Sequence, residues 1–140
     1  MKRQMFVLVG VLALLLAGGS AYAQSVRVTA NVPFDFIVNG KTMPAGQYYI
    51  STVDAADASA LLIRSPQPKS NLMVLSQSVQ SLKASADTKL VFHQYGTRYF
   101  LSEIWVHGEQ SGRQLQKASR ENEMALDFPL QKVELLASLR

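Results

Sequence analysis

From Val26 to Val38 the even positions read Val26, Val28, Ala30, Val32, Phe34, Phe36 and Val38, while Arg27, Thr29, Asn31 and Asp35 fall between them. Apolar residues recurring at every second position over thirteen residues put one face of a strand in a core and the other toward water. Pro33 has no N–H to give a ladder, so the strand is an edge, bulges or bends there. Asn39-Gly40 follows at once, and because both residues tolerate positive φ, this pair predicts a two-residue hairpin turn. Pro44-Ala45-Gly46 predicts a second tight turn, followed by a strand from Gln47 to about Val53.

Beyond it the pattern predicts a loop over Asp54–Ser59, a short strand over Ala60–Arg64, a break at Ser65-Pro66-Gln67-Pro68, and a strand from Asn71 to about Leu82. Residues 83–88 read as a loop. Lys89–Tyr95 and Arg98–His107 are rich in aromatic and β-branched residues, with Gly96-Thr97 between them, which predicts a hairpin. A two-residue loop sets Tyr95 opposite Arg98 and His93 opposite Phe100. Unbroken alternation then puts Val91, His93, Phe100, Ile104 and Val106 on one face and Leu90, Phe92, Tyr99, Leu101 and Trp105 on the other. Both faces are apolar enough for the hairpin to be central, one face in the core and the other at least partly covered. Gly108–Gly112 is a turn. A short helix is expected within Lys117–Leu126, capped by Ser119 and closed by Pro129. In the tail, Val133, Leu135, Ala137 and Leu139 alternate with Lys132, Glu134 and Ser138. That favours a last strand, although the leucines are also good helix formers.

These elements add up to a mainly β chain: an antiparallel β-sandwich or small β-barrel of about 7–8 strands, with one short helix near the C-terminus. A signal-peptide helix is expected to precede it. Lys2 and Arg3 are followed by an apolar run from Met5 to Ala17, then Gly18, Gly19, Ser20 and the triplet Ala21-Tyr22-Ala23. Positive start, apolar middle and small-residue end are the three parts of a secretory leader. Cleavage is expected between Ala23 and Gln24, leaving residues 24–140 as one domain. The apolar run is short for a membrane span, which needs about 20 residues. The membrane is therefore a partner only during export.

Composition sharpens the class. The chain has 140 residues, a net charge of +4 and no cysteine. Two of those positive charges, Lys2 and Arg3, belong to the leader. The remaining basic residues are scattered, so the electrostatic footprint of a nucleic-acid binder is missing. Without cysteine the fold rests on core burial rather than disulfides, and lipid attachment after a leader is excluded. A leader with no cysteine suits a bacterial periplasmic or secreted protein.

The candidate chemistry is sparse. His93 and His107 are the two histidines. In the expected register they lie about 23 Å apart along the sheet and on opposite faces, which argues against a shared metal. No serine sits in a G-x-S-x-G elbow, and no glycine pattern forms a phosphate loop. Asp35 and Glu103 are the carboxylates a hydrolase would use, though nothing in the pattern makes them converge. Tyr99 and Trp105, with Glu103, are the candidate binding surface, since exposed aromatics on a sheet can stack on sugars or anchor a protein. No cofactor or metal ligand set is expected.

Three segments resemble a family of short exported bacterial proteins, frequent in soil acidobacteria and of unassigned function. They are Val32-Pro33-Phe34-Asp35-Phe36 through Asn39-Gly40, then Met43-Pro44-Ala45-Gly46-Gln47-Tyr48, and Tyr99-Phe100-Leu101-Ser102 with Ile104-Trp105. These are turn and core residues, so the resemblance implies a fold and export but no active site. The expectation is a non-enzymatic binding or structural module of the periplasm or cell surface, its partner an envelope protein or a surface glycan. Enzyme activity is left undecided and disfavoured. The alternatives are a β-barrel carrier of a small apolar ligand and a carboxylate-dependent hydrolase.

Overall fold

The computed structural model describes residues 26–54, 57–66 and 69–139. The expected leader and the expected cleavage between Ala23 and Gln24 lie outside the described residues. The described residues form eleven strands and one helix: β1 (Arg27–Val32), β2 (Phe36–Val38), β3 (Lys41–Met43), β4 (Gly46–Asp54), β5 (Asp57–Pro66), β6 (Lys69–Gln80), β7 (Lys89–Tyr95), β8 (Arg98–Trp105), β9 (Ser111–Leu115), α1 (Ser119–Asp127), β10 (Gln131–Leu136) and β11 (Ser138–Leu139). The mainly β expectation with one short helix holds, but with more strands than the 7–8 foreseen. The chain bends after Val32, at Pro33, and this splits the first apolar run into β1 and β2. The loop expected over Asp54–Ser59 is shorter, since β4 reaches Asp54 and pairs it with Asp57. The tail is a strand.

The strands pair in the order β10-β7-β8-β9-β6-β5-β4-β1-β11. Pairing is antiparallel throughout this path, and β2 adds one parallel bridge, Ile37 to Phe100. The barrel alternative is not met: β10 and β11 end the ladder and do not pair with each other, so the sheet stays open. They are nevertheless successive in the chain, joined through Ala137, whose N–H donates to the Thr88 carbonyl (2.9 Å). The long strand β6 links the two halves, pairing with β5 over Lys69–Leu75 and with β9 over Ser76–Gln80. Where its partner changes, Ser76 Oγ donates to the Ser59 carbonyl (3.0 Å) and accepts from Arg113 Nε (3.0 Å).

The core follows from the alternation. Val28, Ala30, Val32, Phe36 and Val38 meet Tyr48, Ile50, Leu61, Ile63, Leu90, Phe92, Leu101 and Ile104 in one buried cluster drawn from both halves of the sheet. Phe36 packs edge-on against Tyr48 and Phe92, with centroids 5.0 and 5.5 Å apart. Each such side chain contributes roughly 1.5–3 kcal/mol by leaving water. Asn39 and Gly40 both have positive φ, 49° and 78°, and set Val38 opposite Lys41, the turn foreseen for this pair.

The central hairpin keeps the expected register at its turn, with Tyr95 opposite Arg98 and His93 opposite Phe100. It departs further along. Phe92 faces Leu101 but Val91 faces Glu103, so Ser102 is the extra residue of a β-bulge. One inserted residue reverses the facing of all that follows. Ile104 therefore joins Leu90 and Phe92 in the main core, and Trp105 moves to the opposite side. That corrects the facing expected for both residues.

Candidate functional site

The face of the hairpin turned away from the main core carries His93, Tyr95 and Phe100. Tyr95 and Phe100 form a second apolar cluster with Ile37, against which Met124 packs. Met124 comes from α1, a helix that is exposed along most of its length, and its one buried residue is Glu121. Glu121 and Met124 are three residues apart and so share a helix face. The expected cap is displaced by one residue: Ala118, not Ser119, is the N-cap, and no side chain caps the helix. This puts Glu121 in the first turn, where the positive end of the helix favours a carboxylate, and aims it at the sheet.

The Glu121 side chain is 5 % exposed and that of His93 8 %. His93 Nδ1 lies 3.2 Å from Glu121 Oε2, and the Tyr95 hydroxyl donates to the same oxygen at 3.2 Å. Burial, and next the adjacent carboxylate, hold the Tyr95 phenol above its ordinary value of 10.0. Glu121 also lines a cavity of about 190 Å³, together with Ile37, Phe100, Met73, Leu75 and Asn39. The sequence reading missed Glu121. The available signal was weak: one carboxylate and one methionine on a common face of an otherwise polar helix.

The bulge builds a second recess at the other end of the hairpin. Glu103 and Trp105 line a groove of about 330 Å³ with Lys83, Lys89, Lys132 and Glu134. Trp105 is only 8 % exposed, and its Nε1–H donates to Glu103 Oε2 at 3.1 Å. Lys89 Nζ meets Glu134 Oε1 at 2.8 Å across β7 and β10. Of the candidate surface residues, the structure thus brings Glu103 and Trp105 together. It does not bring Tyr99 to them: Tyr99 stacks on Phe34, centroids 3.9 Å apart, beside a separate recess that includes Asp35.

Asp35 is occupied locally, its Oδ1 accepting from the Ala45 N–H at 2.8 Å. That bond holds the Pro44-Ala45-Gly46 turn, where the Tyr48 hydroxyl also donates to the Pro44 carbonyl. Burial, then Asp35, raises the Tyr48 phenol above its ordinary value. His107 lies beyond the end of β8, with Nδ1 2.7 Å from the Ala86 carbonyl, far along the hairpin from His93. Among the described residues no three His, Cys, Asp or Glu side chains gather as a metal site would need, and no helix is long and apolar enough to cross a membrane. Comparison of the chain with known protein families, with curated proteins and with solved structures finds no match.

Proposed function

We propose that the chain is exported by its first 23 residues, is cut between Ala23 and Gln24, and works in the periplasm or outside the cell as a non-enzymatic binding or structural module. In this reading the two halves of the sheet are the layers of an antiparallel β-sandwich, and the contact face is the groove at Glu103 and Trp105. The observation that carries it is the set of charges around that groove: Lys83, Lys89 and Lys132 with Glu103 and Glu134, over the edge of a tryptophan. Mixed charges on a rigid hairpin suit a polar partner, an envelope protein or a surface glycan, better than an apolar one. The family resemblance points the same way. An open sheet and an apolar, side-chain-filled interior lend no support to a barrel carrier. Asp35 and Glu103, each bonded to its own neighbour, lend none to a hydrolase.

Trp105 is the single tryptophan, so its emission reports on the groove. Titration of the mature protein with purified cell-surface polysaccharide, and separately with envelope proteins, should shift that emission saturably. The double substitution Lys83→Glu, Lys132→Glu should remove the shift. Unchanged emission with both materials, or equal binding by the double variant, would overturn the assignment of the groove. Mass spectrometry of the secreted chain should place its N-terminus at Gln24.

A further inference from the structure

Among the described residues β10 pairs with β7 alone, so no strand lies along its other edge. The opposite end of the ladder is β11, whose two residues make too short an edge to recruit another chain. β10 is longer and regular. Its six residues pair with β7 without a register shift, and none is a proline. Such a strand presents a row of N–H and C=O groups on its free side. Bulge and proline, two of the usual guards of an edge, are absent from it, and charge alone remains, in Lys132 and Glu134.

Each β10 side chain shares the face of the β7 residue it opposes. Val133 and Leu135 oppose Phe92 and Leu90 and pack against the core. Lys132, Glu134 and Leu136 stand on the other face, opposite His93, Val91 and Lys89, and all three are exposed. Lys89 engages Oε1 of Glu134, which leaves Oε2 for a second cation. Lys132 has no ion pair among the described residues.

Residues directly opposite in an antiparallel pair exchange both backbone bonds or none. The free side of a strand offers those groups from every second residue. A strand that pairs with its own copy therefore sets even numbers against even and odd against odd, and the two-fold axis falls on a residue. Only axes at Val133 and at Glu134 leave no more than one residue of β10 unpaired. An axis at Glu134 sets Glu134 against its own copy and Lys132 against Leu136. An axis at Val133 sets Lys132 against the partner's Glu134, twice by symmetry, and brings Leu130 toward the partner's Leu136. Those leucines are 45 % and 69 % exposed. We propose that β10 pairs with β10 of a second copy of this chain about a two-fold axis at Val133. The charges that guard the edge thus select one partner and one register. The axis is perpendicular to the sheet, so the Glu103–Trp105 grooves of both copies open on the same face. A single strand pair buries less than the standard interface of about 1,600 Å², so the dimer is weak, with a dissociation constant of about 0.1 mM.

The test is sedimentation of the mature protein across a concentration series, with its variants. The parent should pass from monomer to dimer and dissociate as salt is added. Lys132→Glu sets like charges opposite each other twice, as does Glu134→Lys, and each should weaken association at least about tenfold. An equimolar mixture of the two variants has opposite charges at both pairs of the heterodimer and should regain the parent's affinity within about threefold. Both positions are exposed, so neither change enters the core. If Glu134→Lys does not fold, amide shifts of the parent on dilution, which should centre on Lys132, Val133 and Glu134, decide together with Lys132→Glu. A chain that stays monomeric up to about 1 mM, whether or not its edge takes a strand from another protein, would overturn the proposal. So would a dimer that neither substitution weakens, or a mixture that stays monomeric where the parent does not. Lys132 also lines the groove, but Lys83 lies outside β10. Lys83→Glu should therefore leave the dimer intact while weakening a groove ligand, and the two assignments fail separately.

Discussion

Replacing Gly112 by alanine tests the packing behind the Trp105 groove. A Cβ at this position would lie 2.8 Å from the Ile104 carbonyl oxygen and 2.8 Å from Cδ2 and Cε3 of Trp105. Carbon atoms rest against one another at about 3.5–4.0 Å and a carbon against a carbonyl oxygen at about 3.3–3.6 Å, so the indole must retreat by close to 1 Å and the carbonyl by about half that or more. Neither is free to do so. Ile104 is held in the strand, paired with Arg113, and the indole is pinned by its bond to Glu103. Overpacking of this kind costs about 1–3 kcal/mol, while the lost flexibility of glycine in the unfolded chain returns about 0.4–1. The net expectation is a destabilisation of about 1–2 kcal/mol, or about 5–10 °C in Tm for a domain of this size. Circular dichroism melts measure the loss, and Trp105 emission measures displacement of the indole. Gly108→Ala is the control: it has open space but a φ of 84°, so it should cost about 1 kcal/mol through the backbone and leave the emission alone. If Gly112→Ala melted at or above the parent with unchanged emission, the close approach would be refuted.

Two further predictions follow from the charged and titratable groups. Tyr48 and Tyr95 keep their protons more tightly when folded than the unfolded value of 10.0, so the stability they add is complete below about pH 10 and is lost as pH rises through their folded values. Tyr95→Phe should flatten the alkaline decline in melts run from pH 9 to 12, and an equally steep decline in Tyr48→Phe, Tyr95→Phe protein would count against it. Glu134→Gln breaks the ion pair with Lys89, whose partners are 23 % and 60 % exposed, and should cost less than about 1 kcal/mol; the difference in denaturant midpoint should vanish in 1 M salt.

What was legible in the sequence is what local chemistry decides. Asn39-Gly40 can hardly do anything but turn, and a two-residue loop at Gly96-Thr97 leaves one register for Tyr95 and Arg98. The alternation from Val26 onward showed which side chains enter the core, and Pro33 marked the place where regular pairing would suffer, though not that the outcome would be a bend rather than an edge or a bulge. The facing of Ile104 and Trp105 was not legible, because an added residue at Ser102 leaves no local mark: a serine among apolar neighbours looks the same in a bulge as in a regular strand. Glu121 was hidden for a related reason. Whether a helix carboxylate is solvated or buried depends on what the helix lands on, here His93 and Tyr95, which lie 28 and 26 residues earlier. The groove likewise joins a loop, the hairpin and the tail, three segments that only tertiary pairing brings together.

The last strands do more than finish the sheet. β10 covers the edge of β7, and β11 covers the edge of β1, so one continuous stretch of chain shields both ends of the ladder. A chain that has not yet supplied residues 131–139 carries two open strand edges at once, each able to recruit another chain. Folding thus cannot seal segment by segment from the N-terminus; it must wait for contacts between the first strand and the last, which makes it slow and concentration-sensitive. For a chain that threads a membrane before it folds, that delay would be an advantage. For one folded in dilute buffer, it makes the tail the segment on which recovery of native protein turns.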